Sequence, residues 1–435
     1  MSREHALAIW NAAVDAVRPE PLVRAALDRE RAVHDAPRVI VVGAGKAGPG
    51  MAAGLEAALA DRLDRVEGLV NVPAGMTANL KRVQLHAARP QGVNEPTAAG
   101  VAGAEEMLRL LQSAGPDDVA VCLLSGGGSA LLPAPAEGVS LADKQAVTKL
   151  LHRCGATIDE MNCVRKHLSR VKGGRLAEAF RGKRLVSLVV SDVVGDPLDV
   201  IASGPTAPDP TTFAEALAVL DRYGLTASVP AAEMRHLQAG REGKVPETPK
   251  AIPANVENRI IGSNRVALDA ARRKAEELGY RVLDLGSFVE GDTRQVAVAV
   301  AGIVRSLSGN CVPFGPPACV LLGGETTVTL GEKPGKGGRN QEFALAVLAK
   351  LGAAGMAGVT VLSGGTDGED GPTDAAGAVA DAGTLAGMAQ RQLAAEDFLR
   401  RHDAYTLFDR VGGLIRSGLT GTNVMDVRVL LVSAK

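Results

Sequence analysis

Aromatic residues are scarce in this chain: one Trp, three Tyr and seven Phe among 435 residues. So few rings argue against a surface that stacks single-stranded bases. An excess of charge of one sign is also missing. Lys and Arg total 48, Asp and Glu 49, and the two signs are interspersed. The chain therefore has no basic footprint for nucleic acid or a membrane surface. Cysteine is sparse: Cys122, Cys154, Cys163, Cys311 and Cys319, with no CxxC spacing. Cys122 and Cys319 lie inside apolar runs and read as buried, inert thiols, so a reducing cytoplasm is the expected location. No apolar run approaches the length of a membrane span, and residues 2–17 read as an amphipathic helix rather than a secretion signal. The seven histidines lack zinc-ligand spacing, and neither a Walker A loop nor a G-x-S-x-G elbow occurs.

Glycine, by contrast, is plentiful at 51 residues, and much of it follows apolar, strand-like runs. Six such runs end in polar loops: Gly43-Ala44-Gly45-Lys46-Ala47-Gly48, Ser125-Gly126-Gly127-Gly128-Ser129, Ser191-Asp192-Val193-Val194-Gly195-Asp196, Gly262-Ser263-Asn264, Gly323-Gly324-Glu325-Thr326-Thr327 and Ser363-Gly364-Gly365-Thr366-Asp367-Gly368. An open α/β sheet binds its ligand at the carboxyl ends of its strands. The loop contents suit phosphate: glycines admit backbone N–H groups, Lys neutralises charge, and Asp or Glu can hold a divalent metal.

The expected architecture is α/β in two domains. Strands at residues 38–42, 68–72, 119–124 and 185–190 alternate with helices at 47–61, 99–114, 141–154 and 158–180. That alternation predicts a doubly wound, parallel, Rossmann-like sheet in an N-terminal domain spanning residues 1–235. Pro230, Pro246, Pro249 and Pro253 punctuate residues 225–258, the candidate connection between domains. A C-terminal domain, residues 255–435, restarts the alternation with strands at 259–261, 281–285, 318–322, 326–330, 358–362 and 427–432 and helices at 264–278 and 341–351. The Gly323-Gly324 pair reads as a turn between antiparallel neighbours, so this second sheet is expected to be mixed.

Each loop offers candidate residues. Gly43, Gly45 and Gly48 form G-x-G-x-x-G, but the next strand reaches Asn71 rather than the acid a dinucleotide fold needs. Lys46 in that loop suits phosphate better than nicotinamide. The glycines of Ser125-Gly126-Gly127-Gly128-Ser129 cost backbone entropy, which close approach of a ligand would explain. Arg165, Lys166 and Lys172 lie on a basic helical stretch broken at Gly173-Gly174. Asp192 and Asp196 could bind Mg²⁺, or one could serve as a base. Arg339 opens a helix, where a cation is unfavourable unless an anion sits beside it.

These stretches together resemble the glycerate 2-kinase family, also called the MOFRL family, some of whose members carry the label hydroxypyruvate reductase. The resemblance rests on Val41-Val42-Gly43-Ala44-Gly45-Lys46-Ala47, Leu124-Ser125-Gly126-Gly127-Gly128-Ser129-Ala130-Leu131, Val164-Arg165-Lys166-His167-Leu168-Ser169 with Lys172-Gly173-Gly174, Ser191-Asp192 with Gly195-Asp196, Gly323-Gly324-Glu325-Thr326-Thr327-Val328, Gly337-Gly338-Arg339-Asn340-Gln341-Glu342 and Gly364-Gly365-Thr366-Asp367-Gly368. It implies ATP-dependent phosphorylation of D-glycerate to 2-phosphoglycerate, a need for Mg²⁺, and a site in the cleft between two α/β domains. The family's catalytic Lys and Arg would fall on Lys46 and Arg339. One departure is visible: the family's Gly-His-Pro segment corresponds here to Ala88-Arg89-Pro90-Gln91-Gly92-Val93-Asn94.

On this reading Lys46 and Arg339 neutralise the transferring phosphoryl group. The backbone of residues 125–129 cradles either nucleotide phosphate or the glycerate carboxylate. Gly43, Gly45, Arg165, Lys166, Lys172, Asn264, Glu325 and Asn340 are further binding candidates. Asp192 orients or deprotonates the attacking hydroxyl, or holds the metal with Asp196 and Asp367. Two rivals remain: an NAD(P)H-dependent hydroxypyruvate reductase and a non-catalytic metabolite-binding protein. Expected partners are D-glycerate and ATP, without nucleic acid or membrane, and a homo-oligomer is left open.

Overall fold

Residues 19–261 form one compact unit of the computed structural model, which describes residues 2–90 and 92–434. Its strands are β1 (Val39–Ala44), β2 (Val66–Pro73), β3 (Val83–Arg89), β4 (Val119–Leu124), β5 (Arg184–Val190) and β6 (Val256–Gly262). They lie in the order β3-β2-β1-β4-β5-β6, all parallel. β1 and β4 are buried at every residue, as central strands covered on both faces must be. β1 pairs with β2 on one side and with β4 on the other, so the chain departs in opposite directions from this point. A doubly wound sheet binds ligands outside the carboxyl ends of the strands at such a switch. The loops after β1 and β4 are those that hold Lys46 and Ser125.

Four helices, Leu141–Arg153, Ile158–His167, Phe213–Arg222 and Ala231–Arg241, pack around Phe213, Leu220 and Leu237 in a satellite core. The first three start in capping boxes: Ser140 with Asp143, Thr157 with Glu160, and Thr212 with Glu215. The helix expected over residues 158–180 ends at His167, and a short helix, Arg175–Glu178, follows the left-handed pair Gly173-Gly174.

The second unit joins residues 2–18 to residues 262–434. Its strands are β7 (Arg281–Asp284), β8 (Val289–Asp292), β9 (Ala318–Thr327), β10 (Val359–Gly365), β11 (Gly377–Ala380), β12 (Leu414–Ile415) and β13 (Asp426–Val432). The order is β12-β11-β10-β13-β9-β7, with β8 also along β9. β13 runs antiparallel between β9 and β10, while β7 and β8 run parallel to β9. The sheet is mixed, but not because of a turn at Gly323-Gly324. β9 is one continuous strand, and at Gly324 (φ 117°) a Cβ would lie 2.4 Å from Val289 O, so the glycine allows β8 to approach.

Two boundaries differ from those expected at residues 235 and 255. The 259–261 strand is part of β6 and completes the first sheet, and residues 242–255 stay with the first unit. The N-terminal helix Ser2–Asp15 packs in the second unit. It buries Ala6, Ile9, Trp10, Ala13 and Val14, Trp10 Nε1 donates to Gly364 O at 3.3 Å, and Thr422 Oγ1 donates to Val17 O at 2.7 Å. An amphipathic helix carries no mark of which core it will cover, so sequence order assigned it to the wrong domain.

Candidate active site

In the first unit the loops after β1 and β4 are bonded to each other. Lys46 N donates to Gly126 O at 2.9 Å, and Ala47 N donates to Ser125 Oγ at 3.0 Å. Gly43 and Gly45 pack so closely on β4 and its loop that a Cβ on either would fall 2.2 Å from Leu123 O or 2.0 Å from Ser125 Oγ. Asp192, just past β5, lies against the same loop: a Cβ on Gly126 would sit 2.2 Å from Asp192 Oδ2. Gly127 adopts φ 78°, a left-handed conformation that favours glycine. Gly128 follows and opens the short helix Gly128–Leu131.

Ser129 gathers the basic stretch. Lys172 Nζ donates to Ser129 O at 2.9 Å, Ser129 Oγ at 3.1 Å and Ala202 O at 3.2 Å. Arg165 Nη2 also donates to Ser129 Oγ, and Ser203 Oγ lies 2.8 Å from it. Burial holds Lys172 well below the usual ammonium range, and Arg165, Lys144 and Lys166 nearby push the same way. Burial lowers Arg165 to about 10. Ala202 and Ser203 take φ 52° and 63°, and such strained non-glycine residues cluster at ligand sites. Lys166 does not join this group; it is buried between Asp199 (3.1 Å) and Asp209 (3.3 Å), so its charge is already neutralised. Asp196 is a turn residue at φ 55°, its N–H bonded to Val193 O.

In the second unit β13 begins with Asp426, a residue the sequence reading missed. It pairs in register with Gly324 on β9 and with Gly365 on β10, so the carboxyl ends of both strands flank it. Arg339 grips this carboxylate with two donors, Nε to Oδ2 at 2.8 Å and Nη2 to Oδ1 at 3.0 Å, and reaches Glu325 Oε1 through Nη1 at 2.9 Å. Burial opposes the Arg339 charge, but Asp426 and Glu325 outweigh it and hold the pKa above the usual arginine value. Asp370 accepts Asn340 N at 3.0 Å and Gln341 N at 2.9 Å, capping the helix Arg339–Gly355 from a distant loop. Burial pushes its carboxyl up to about 7, with Asp426 adding to the effect against the two backbone donors. The anion expected beside Arg339 is thus supplied by the protein's own carboxylates.

Asn264 and Asn340 serve this framework. Asn264 Nδ2 donates to Val424 O and Asp426 O, and Asn340 Nδ2 donates to Asp426 Oδ1 at 2.8 Å. Arg428, fully buried, donates to Asp426 Oδ2 at 3.0 Å and Thr326 Oγ1 at 2.9 Å. Partial burial raises the Glu325 carboxyl; Arg339 opposes that rise, while Asp426 and Asp367 reinforce it. Among the described residues no group of three or more His, Cys, Asp or Glu side chains is placed to hold a metal ion. Mg²⁺ bound with nucleotide phosphates needs only one or two protein carboxylates.

Another residue outside the earlier candidates is Arg89, the last residue of β3. It is 5% exposed, and its Nη2 lies 3.3 Å from where a Gly127 Cβ would be. It belongs to the segment that departs from the family pattern, of which Gln91 lies outside the described residues. Asn71, at the end of β2, donates to Gly100 O and Leu131 O. Its amide donor is therefore engaged within the protein rather than offered to a ribose.

Comparison with known proteins gives matches along most of the chain. A domain of unknown function (DUF4147) matches residues 5–238, and the MOFRL family matches residues 318–426. A glycerate 2-kinase of Pyrococcus horikoshii is 40% identical, over 92% of this chain and 88% of its own length. An Agrobacterium vitis relative named for hydroxypyruvate reduction is 42% identical over 91% of this chain and 87% of its own. The crystal structure of a Thermotoga maritima glycerate kinase superposes with a TM-score of 0.88 at 35% identity, covering 99% of both chains. Among the described residues no helix is long and apolar enough to cross a membrane.

Proposed function

Because this chain belongs to the glycerate kinase family that carries the MOFRL domain, we propose that it transfers the terminal phosphoryl group of ATP to the 2-hydroxyl of D-glycerate. The chain is an enzyme, a glycerate kinase. The observation that carries it is the concentration of Lys46, Arg165 and Lys172 about the loop at residues 125–129, with no carboxylate of their own unit paired to any of them among the described residues. A group of cations left unneutralised where a sheet reverses direction suits a ligand rich in negative charge.

Phosphoryl transfer needs positioning and charge neutralisation more than covalent chemistry. Lys46 is proposed to neutralise the transferring group, and the backbone of residues 125–129 to cradle an oxyanion. Asp192, against Gly126, is proposed to orient the attacking hydroxyl or accept its proton, or to hold the divalent ion that enters with the nucleotide. Arg339 is proposed as the second cation, held by Asp426, with Glu325 as the contact a phosphate would replace. A reducing cytoplasm suits five unpaired thiols.

The test supplies ATP, Mg²⁺ and D-glycerate, follows ADP formation and locates the phosphate by phosphorus NMR. Phosphate on carbon 2 is expected, and excess EDTA should abolish turnover. Phosphate on carbon 3, or full activity in EDTA, would refute the corresponding part. Hydroxypyruvate reduction is disfavoured by Asn71 at the position a ribose-binding acid would take. NADH oxidation in the presence of hydroxypyruvate would restore that reading.

A further inference from the structure

Arg89 is placed with unusual firmness for a residue at the end of an edge strand. At the start of β3, the buried Glu56 carboxylate accepts Lys81 N and Arg82 N at 2.7 Å and Val83 N at 2.8 Å. At its end Ala74 N donates to Arg89 O at 2.7 Å, and the register with β2 shifts between Val72 and Pro73. Irregularities of this kind re-aim side chains next to functional sites. Here the guanidinium is brought beside the loop at residues 125–129.

The position where a Gly127 Cβ would stand is 3.3 Å from Arg89 Nη2 and 3.5 Å from Lys46 Cγ. Glycine therefore keeps a small space clear between the two cationic side chains. Arg89 Nε is buried and bonded to nothing. Among the described residues no carboxylate of the unit pairs with Arg89, and burial alone lowers its pKa. A buried guanidinium left without an acid is costly unless something else completes it. Lys166, also buried in this unit, is by contrast completed by Asp199 and Asp209.

We propose that Arg89 is a substrate-binding residue that grips an oxyanion in the space kept clear by Gly127, the anion being either the carboxylate of the acid substrate or a phosphate of the nucleotide. The planar fork of a guanidinium matches both groups through two parallel hydrogen bonds. This rests on reading the loop at residues 125–129 as the site of an anionic substrate.

The experiment measures KM for D-glycerate and for ATP in the wild type, Arg89→Ala, Arg89→Gln and Arg89→Lys, with thermal unfolding of each. Loss of a charge-assisted pair should raise one KM by about tenfold or more. The melting temperature should change little, and Arg89→Lys should recover part of the loss. A rise confined to glycerate assigns the carboxylate; a rise confined to ATP assigns the phosphate. Wild-type KM values for both substrates in a folded Ala or Gln variant would overturn the proposal. Should the Ala variant fail to fold, the Gln and Lys variants carry the same comparison. A wild type that forms no ADP in response to glycerate would instead overturn the proposed function.

Discussion

Around Gly127 and Ser129, Lys46, Arg89, Arg165 and Lys172 converge, and none is paired with a carboxylate of its own unit among the described residues. Around Asp426 the reverse holds. Arg339 and Arg428 both bond this one buried carboxylate, and Glu325 and Asp370 add further negative charge. Both clusters sit at strand ends and both are rich in glycine and charge. The second is assembled from the chain alone, whereas the first is the one proposed to receive an anion. Substitutions in the first should therefore alter turnover and binding, and substitutions in the second should alter stability first.

The largest expected effect tests the second cluster. Asp426→Asn removes the charge that holds two arginines, and breaking a buried pair from one side costs about 3–5 kcal/mol. Urea unfolding should show that loss, and an unchanged midpoint would mean that the cluster is not self-contained. Next comes Lys46→Ala, for which the contrast predicts an intact fold. Turnover should fall by about 2–4 kcal/mol of transition-state stabilisation, as on removing one oxyanion donor. Near-normal kcat would take Lys46 out of the mechanism. Arg339→Lys should lie between the two kinds of behaviour. An ammonium cannot hold both Asp426 oxygens in a planar fork, so stability and kcat should both drop, each by about 1.5–3 kcal/mol. If kcat alone fell, Arg339 would belong with the first cluster.

The smallest effect is a slope. Asp370 titrates near 7 in the folded protein and near 4 unfolded. Between those values the folded state holds more protons, so this group makes stability fall as pH rises from about 4 through 7. Asp370→Asn should flatten that stretch of a stability-versus-pH curve while also weakening the helix cap. A variant curve parallel to the wild type would assign the slope to other groups.

The contrast explains what could be read from the sequence. β4 was legible residue for residue, because an unbroken apolar run followed by Ser-Gly-Gly-Gly has few other solutions. β3 was not, because Gln84, His86 and Arg89 interrupt its apolar pattern at the sheet edge. With β3 unseen, Arg89 could be recorded only as a departure in sequence, not as a neighbour of Gly127. Lys46, Lys172 and Arg165 stood out as candidates because cations in glycine-rich surroundings are conspicuous, but Lys166 in the same run is paired. That distinction depends on Asp199 and Asp209, 33 and 43 residues away along the chain. Asp426 escaped notice because a single acid before an apolar strand has no local signature. Only the register with Gly324 and Gly365 reveals its place.

The helix Ser2–Asp15 has a consequence for how the molecule is made. It precedes residues 19–261 along the chain, yet the strands and helices that cover Ile9 and Trp10 lie beyond residue 262. At about 5–20 residues per second, its apolar face waits on the order of ten seconds or more for its partners, while residues 19–261 emerge and can fold behind it. During that interval the helix offers an apolar face that a chaperone could cover. The second unit cannot close until the strands beyond residue 262 have followed the first unit out of the ribosome.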